Sequence, residues 1–596
     1  MKQFQKYGVA AAVASVATGV IAQEVSKKEA GDLAVIPYYT VLDGKNTGMH
    51  IINTTDTTQV VKVRLRRGAD SKDALDFNLV MSPFDEWTAN IGANPDGDGV
   101  VVNTNDTTCT VPAFPEGGAV MPSTYAEGAE EGYVEIIAMA QPTTEGATLA
   151  VAAEHDDGVP LSCAVVRQNF YRVSDALAYD VATFPNGDSV TRGTHYSDIT
   201  SSAVCTANAA DTGGACDIED AREALCADKN DYTDGCNNFI IDALNATFYT
   251  DSDDGALKVS WMITDSDGGL EIGDNAVMVE GFSSVAMMTN QELLDFGVNG
   301  ILNYDPLNFE LPNLSYGAWN DLRGSQFNPG ATGKPSTGSL MPGLMDALDA
   351  ESLINDWAAF DTDSGTVATD WVVTLPGQYT MNNPICDAYD AYAEAGTACA
   401  VTTSGTTVGL SSAGATDEDQ LPLTVANGSG TNMLLWDREE TPLIETPDTP
   451  DTDLGFSPGG SAGTPADTFS LLREVNVIMF NDGNVLGTAD LQDEDLGLGF
   501  VVSVSDEGYP PNRGWARLDI EEVANEMIWY PEDQATGSDI DPNDNEDSDK
   551  DGWGGFVDSG VDTVAVVGFA AWERSFADQA GNYGRAIEHS TISSAR

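Results

Sequence analysis

Positive charge is the scarcest property of this chain. Lys+Arg number 26 against Asp+Glu 95, a formal net charge of -69, and the pI lies near 4.1. A field of that sign repels phosphate backbones and anionic lipid, which excludes nucleic-acid binding through a broad basic surface. Histidine is also rare: His50, His155, His195 and His589 are the only four. No two stand at i,i+4 and no H-E-x-x-H occurs, so a histidine-built zinc site has no support. His50 falls in a strand and reads as packed, while a triad of distant residues stays open because such groups meet only in the fold. Neither a phosphate-cradling glycine loop nor an alternating βα pattern is present. Gly459-Gly460-Ser461-Ala462-Gly463 has the G-x-S-x-G form of a nucleophile elbow. It sits in a Pro/Gly/Ser stretch rather than at a strand-to-helix turn, so it is read as a chance match.

Long apolar runs are missing too, apart from one at the start. Lys2 and Lys6 precede the small-residue apolar run Val9 to Ala22, which ends in Val20-Ile21-Ala22. That is the layout of a secretory signal peptide, residues 1–22, too short and too Ala/Gly/Thr-rich for a membrane span. Export agrees with eight cysteines, an even number suited to disulfides in an oxidising compartment. Cys109 with Cys163 and Cys386 with Cys399 are the expected pairs. Cys205, Cys216, Cys226 and Cys236 crowd one segment, and their three pairings cannot be ranked.

The pattern of the remaining chain predicts a mainly β fold, antiparallel and sandwich-like, with a few short helices and long acidic loops. An N-terminal β region spans 23–200 and a Cys-rich insertion 201–240. A central β region covers 241–440, a Pro/Gly/Thr/Asp linker or long loop 441–468, and a C-terminal β region 469–596. Leu33 to Val41 and Met49 to Asn53 read as a hairpin around LDGKNTG, Leu75 to Ile91 as a strand interrupted at Ser82-Pro83, and Leu161 to Val173 as a further strand. Helices are expected at Asp217 to Ala227, Leu344 to Phe360 and Glu521 to Tyr530. Gln59 to Arg67 alternates cleanly: Val61, Val63 and Leu65 share one face, and Lys62, Arg64 and Arg66 the other, with Arg67 following. Such a strand reads either as a sheet edge blunted by charge or as a contact for an acidic partner. That partner would be a neighbouring copy of the chain or the phosphates of lipopolysaccharide. A charged row on the best strand also argues against a lipid-facing barrel.

The best-formed motif is the acidic loop Asp539 to Asp558. Asp547, Asp549 and Asp551 alternate before Gly552, and Asp558 falls at position 12 of a calcium loop, with Trp553 also among the ligand positions. Asp in place of the usual Glu at position 12 shortens the reach, as suits a weaker site in a calcium-rich medium. Ca2+ as a structural ion is therefore the one expected cofactor. Weaker clusters are Asp96 with Asp98, better read as an Asx-rich turn, and Asp265, Asp267 and Glu271. No catalytic motif matches this quality. Carboxylate pairs for glycoside hydrolysis are undecidable among so many acids, and Trp87, Trp319, Trp371 and Trp553 are candidates for stacking on sugars.

Several blocks, among them DFNLVMSPFDEWT from Asp76, GYVEIIA from Gly132, REVNVIMFN from Arg473, GWARLDI from Gly514 and VVGFAAWERSF from Val566, resemble exported β-rich proteins of Gram-negative bacteria. With its acidic, lysine-poor composition the chain looks like the surface-layer proteins of marine gammaproteobacteria. That resemblance implies an exported, self-assembling structural protein of the cell surface that contributes to biofilm matrix, with no reaction of its own. The alternatives are a secreted polysaccharide-active enzyme or glycan-binding protein, and an adhesin or filament subunit.

Overall fold

A computed structural model describes residues 23–168, 249–287, 312–314, 340–377, 471–488, 497–502, 513–520, 565–576 and 582–592, apart from scattered positions inside these ranges. Isolated strand segments at 181–183, 189–191, 400–403, 406–409, 432–437, 527–530 and 555–558 are described as well. The architecture is mainly β, with antiparallel sheets and few short helices. Among the described residues no helix is long and apolar enough to cross a membrane.

An eight-stranded sheet contains Leu33–Thr40, Glu131–Pro142, Gln59–Arg67 and Asp73–Met81 as consecutive neighbours. A six-stranded sheet places Lys45–Asn53 between Leu257–Asp265 and Glu86–Ala93. The expected hairpin around LDGKNTG is thereby corrected. Its two strands exist but lie in different sheets, because the connection steps from one layer to the other instead of reversing. Strands from 257–280 pair with strands from 33–53, so the sheets close through contacts distant in sequence.

A second pair of sheets follows. The four-stranded one runs Asn432–Asp437, Arg513–Asp519, Ser352–Ala358, Ser590–Ile592. Its partner, six-stranded, is built on Val475–Phe480, Gly365–Thr374 and Val567–Arg574. Strand alternation gives this partner sheet two buried faces. Val372, Val475, Val477, Phe569 and Ala571 join the apolar core of the first pair. Trp371, Val373, Ile478, Phe480 and Ala570 join a second core, where Trp357 stacks on Phe480 with centroids 5.4 Å apart.

Three expected elements change type. Leu344 to Phe360 divides into helix Met341–Ala347 and strand Ser352–Ala358. From Ser352 on, buried Leu353, Asn355 and Trp357 follow a period of two, which outweighs the rough helical stripe. Leu161 to Val173 holds a helix, Cys163–Gln168, instead of a strand. Of Glu521 to Tyr530, Met527–Tyr530 is a strand paired with Gly555–Asp558. The expected helix at Asp217 to Ala227 and the linker at 441–468 lie outside the described residues.

Candidate functional site

The strand Gln59–Arg67 is interior, hydrogen-bonded on one side to Glu131–Pro142 and on the other to Asp73–Met81. Lys62, Arg64, Arg66 and Arg67 are all buried. Both readings of this strand, a charged edge and a contact for an external acidic partner, are corrected by that placement. Register supplies the partners internally: Arg64 lies opposite Asp76 on one neighbour and Glu135 on the other. Lys62 Nζ reaches Asp76 at 2.6 Å, Arg64 reaches Asp76 at 3.4 Å and Glu135 at 3.8 Å, and Arg66 Nε donates to Glu135 at 3.2 Å. Arg64 also donates to the Pro312 carbonyl at 2.9 Å, and Arg67 to that of Glu127 at 2.7 Å. The face is a structural charge network closed to solvent.

A second polar group sits where the two pairs of sheets meet. The Tyr38 hydroxyl donates to Glu131, and Asp370 accepts from the main-chain N–H of Val485 at 2.7 Å and Leu486 at 2.9 Å. Burial pushes both carboxyls up to about 7, with buried Lys45 pulling the other way in each. Gly487, at φ +78°, closes this group: a Cβ there would stand 2.6 Å from an Asp43 carboxylate oxygen and 3.0 Å from Lys45 Nζ. Asp32 is likewise pushed to about 7 by burial, offset in part by the N–H groups of Phe282 and Ser283.

Two histidines deserve comparison with catalytic patterns. Ser82 Oγ lies 3.0 Å from His155 Nδ1, and Asp85 lies 3.8 Å from the same nitrogen. A triad needs hydroxyl and carboxylate on opposite ring nitrogens, so this trio ties a turn to its neighbour rather than activating Ser82. His589 is buried. Its Nε2 lies 3.0 Å from the Val372 carbonyl and its Nδ1 3.0 Å from the Asn355 amide nitrogen, which fixes Nε2–H as the donor. Burial pushes its pKa down to about 4.

An open concave site with both charged and aromatic walls is a cleft of about 340 Å³ in the second pair of sheets. Trp357, Ala358 and Val367 belong to its lining and are buried. Its other walls include Arg513, Trp515, Trp572, Arg574, Tyr583 and Arg585. Strand register pairs several of these with one another or with a neighbour. Arg585 lies opposite Trp572 and its guanidinium rests over that indole, 4.8 Å from the ring centre. Arg574, opposite Tyr583, covers the Phe576 ring at 4.9 Å. Trp515 is stacked on Trp436, its cross-strand neighbour, with centroids 4.0 Å apart and planes 11° from parallel. Arg513, Arg574, Arg585 and Tyr583 are exposed.

Two carboxylates belong to the lining, Asp356 and Glu573. Glu573 alternates with Trp572 and Arg574, on the strand face that carries Phe569 and Ala571 into the first core. Its carboxylate accepts from Asn582 at 2.6 Å, and burial raises its pKa, with Lys45 opposing. Asp356 is exposed, from the other sheet.

Of the sequence-derived candidates, Cys109 and Cys163 are bonded to each other, joining the strand Cys109–Val111 to the helix Cys163–Gln168. Cys205, Cys216, Cys226, Cys236, Cys386 and Cys399 lie outside the described residues, as do Asp547, Asp549, Asp551 and Trp553. Asp558 is described only as the end of its strand. Asp96 and Asp98 form the Asx-type turn, Asn94 accepting from the Asp96 N–H at 3.1 Å and donating to the Asp98 carbonyl at 3.1 Å. Asp265 and Glu271 flank the turn of a hairpin, with Asp267 outside the described residues. Among the described residues no group of three or more His, Cys, Asp or Glu is placed to hold a metal. Trp87 and Trp371 are buried in the cores, and Trp319 lies outside the described residues, so none of these described indoles offers a sugar platform. The cleft tryptophans, Trp515 and Trp572, were not singled out by sequence; the only local signals were the short blocks GWARLDI and AAWERSF. No protein-family model, curated protein or solved structure matches this chain, so its site is read from its own chemistry.

Proposed function

We propose that this chain is an exported structural protein of a Gram-negative cell surface that self-assembles into a calcium-stabilised layer and contributes to biofilm matrix. The observation that carries the reading is the distribution of charge. Among the described residues the buried cations are Lys45, Lys62, Arg64, Arg66 and Arg67 and the buried acids Asp32, Glu131, Glu135, Asp370 and Glu474, in a chain where acids far outnumber cations. Of these described residues a larger share of the cations than of the anions is thus withdrawn from solvent, and the ratio of acids to cations on their exposed surface is raised. Copies of such a particle repel one another unless divalent ions lie between them. Ions that bind only the assembled form stabilise it by mass action. An open array then needs only a repeated heterologous contact between copies.

The signal peptide 1–22 and the calcium loop 547–558 are the sequence grounds for export and for the ion. Chelating calcium from intact producing cells is expected to release the protein and abolish a regular lattice seen by negative-stain microscopy. A lattice that survives chelation, or release from cells that had none, would overturn the proposal. Within the loop, Asp549→Asn with Asp551→Asn is expected to remove most of the calcium-dependent rise in thermal unfolding temperature; an unchanged calcium response would exclude the loop as the site.

A further inference from the structure

We propose that the cleft between the four-stranded sheet and its six-stranded partner binds an acidic saccharide, a sugar ring carrying a carboxylate. This stands apart from self-assembly and from calcium. Arg574 and Arg585, on one face of the six-stranded sheet, line it together with Arg513 from the other sheet, in a chain with only 26 Lys+Arg; of its two lining acids Asp356 is exposed and Glu573 accepts a hydrogen bond from Asn582. A local surplus of positive charge on so acidic a protein concentrates anions at that spot. The guanidinium groups of Arg574 and Arg585 lie over aromatic rings, which holds them in place while their edge N–H groups stay available for a bidentate carboxylate.

Three further features select a sugar over an acidic peptide. The volume of about 340 Å³ is at the small end of ligand sites, of the order of one or two sugar rings rather than an extended chain. Trp572 and exposed Tyr583 bring apolar ring surface, which the C–H faces of a sugar can cover. Asp356 offers an acceptor, matched by sugar hydroxyls and opposed to an aspartate-rich segment.

The test is isothermal titration calorimetry on the mature full-length protein with tetragalacturonate, neutral cellotetraose and an octa-aspartate peptide, all in chelator so that calcium bridging is removed. Binding of tetragalacturonate that weakens with added salt and is about tenfold or more tighter than that of either other probe supports the proposal. Arg585→Gln is expected to weaken it by about tenfold, and Arg585→Lys to recover only part of that loss, because the charge returns without the planar fork. Thermal unfolding of each variant confirms the fold; Arg574→Gln, on another ring, serves as the second variant should Arg585→Gln fail that check. Absence of tetragalacturonate binding, equal binding of cellotetraose, binding of the peptide as tightly, or unchanged affinity in a folded arginine variant would each overturn it.

Discussion

Two places in this molecule gather its scarce cations, and they use them in opposite ways. On the first sheet Lys62, Arg64 and Arg66 are sealed inside against Asp76 and Glu135. In the second pair of sheets Arg513, Arg574 and Arg585 stand exposed around a cleft, two of them laid on aromatic rings. Inside, each charge has lost its water and depends on a partner, so removing one partner leaves an uncompensated buried ion. At the cleft each charge keeps its water and costs the fold little. Identical residue types serve architecture in one region and are available to a ligand in the other.

The contrast breaks most visibly at Glu135. Glu135→Ala is expected to destabilise the protein by about 3–5 kcal/mol in chemical denaturation, since Arg64 and Arg66 both lose a buried counter-charge. A loss of under about 1 kcal/mol would show that water reaches this face and that the network is not closed.

The next effect is a pH dependence at the meeting of the sheet pairs. Asp370 and Glu131 are held near 7 by burial, far above their values in an unfolded chain, so the folded form binds more protons between those limits. Their stabilising contribution is full below about pH 4 and is lost as pH rises through about 7. The unfolding midpoint should therefore fall from pH 5 to pH 8. General repulsion among surface carboxylates acts in the same direction, so the variant decides: Asp370→Asn keeps an acceptor for Val485 and Leu486 and should remove on the order of 2–4 kcal/mol from that pH-dependent loss. A slope unchanged in the variant would place the titrating groups elsewhere.

The smallest expected change is at the cleft. Arg585→Gln should shift stability by no more than about 0.5 kcal/mol, as surface substitutions do. A shift as large as that of Glu135→Ala would erase the distinction between the two regions.

Much of the fold was legible because alternation is local. Gln59 to Arg67 declares itself a strand and even divides its side chains correctly between faces. What covers the charged face was not legible: Glu135 is some seventy positions away, and Pro312 comes from a stretch with no pattern pointing to Arg64. A row of cations normally means water, and only tertiary pairing reverses that. The false hairpin has a related cause, because Leu33–Thr40 and Lys45–Asn53 look alike whether their connection reverses within a sheet or steps between sheets. The cleft was hidden for a stronger reason. Its residues run from Asp356 to Arg585 and share no spacing, so they meet only through strand register and the packing of two sheets.

The sheet built on Gly365–Thr374 is a party wall, with one face in each core. Val475, Val477 and Phe569 complete the interior whose other members begin at Leu33. The early strands thus lack part of their apolar cover until nearly the whole chain has emerged. A protein so built cannot finish folding from its first half and locks only after the last strands arrive.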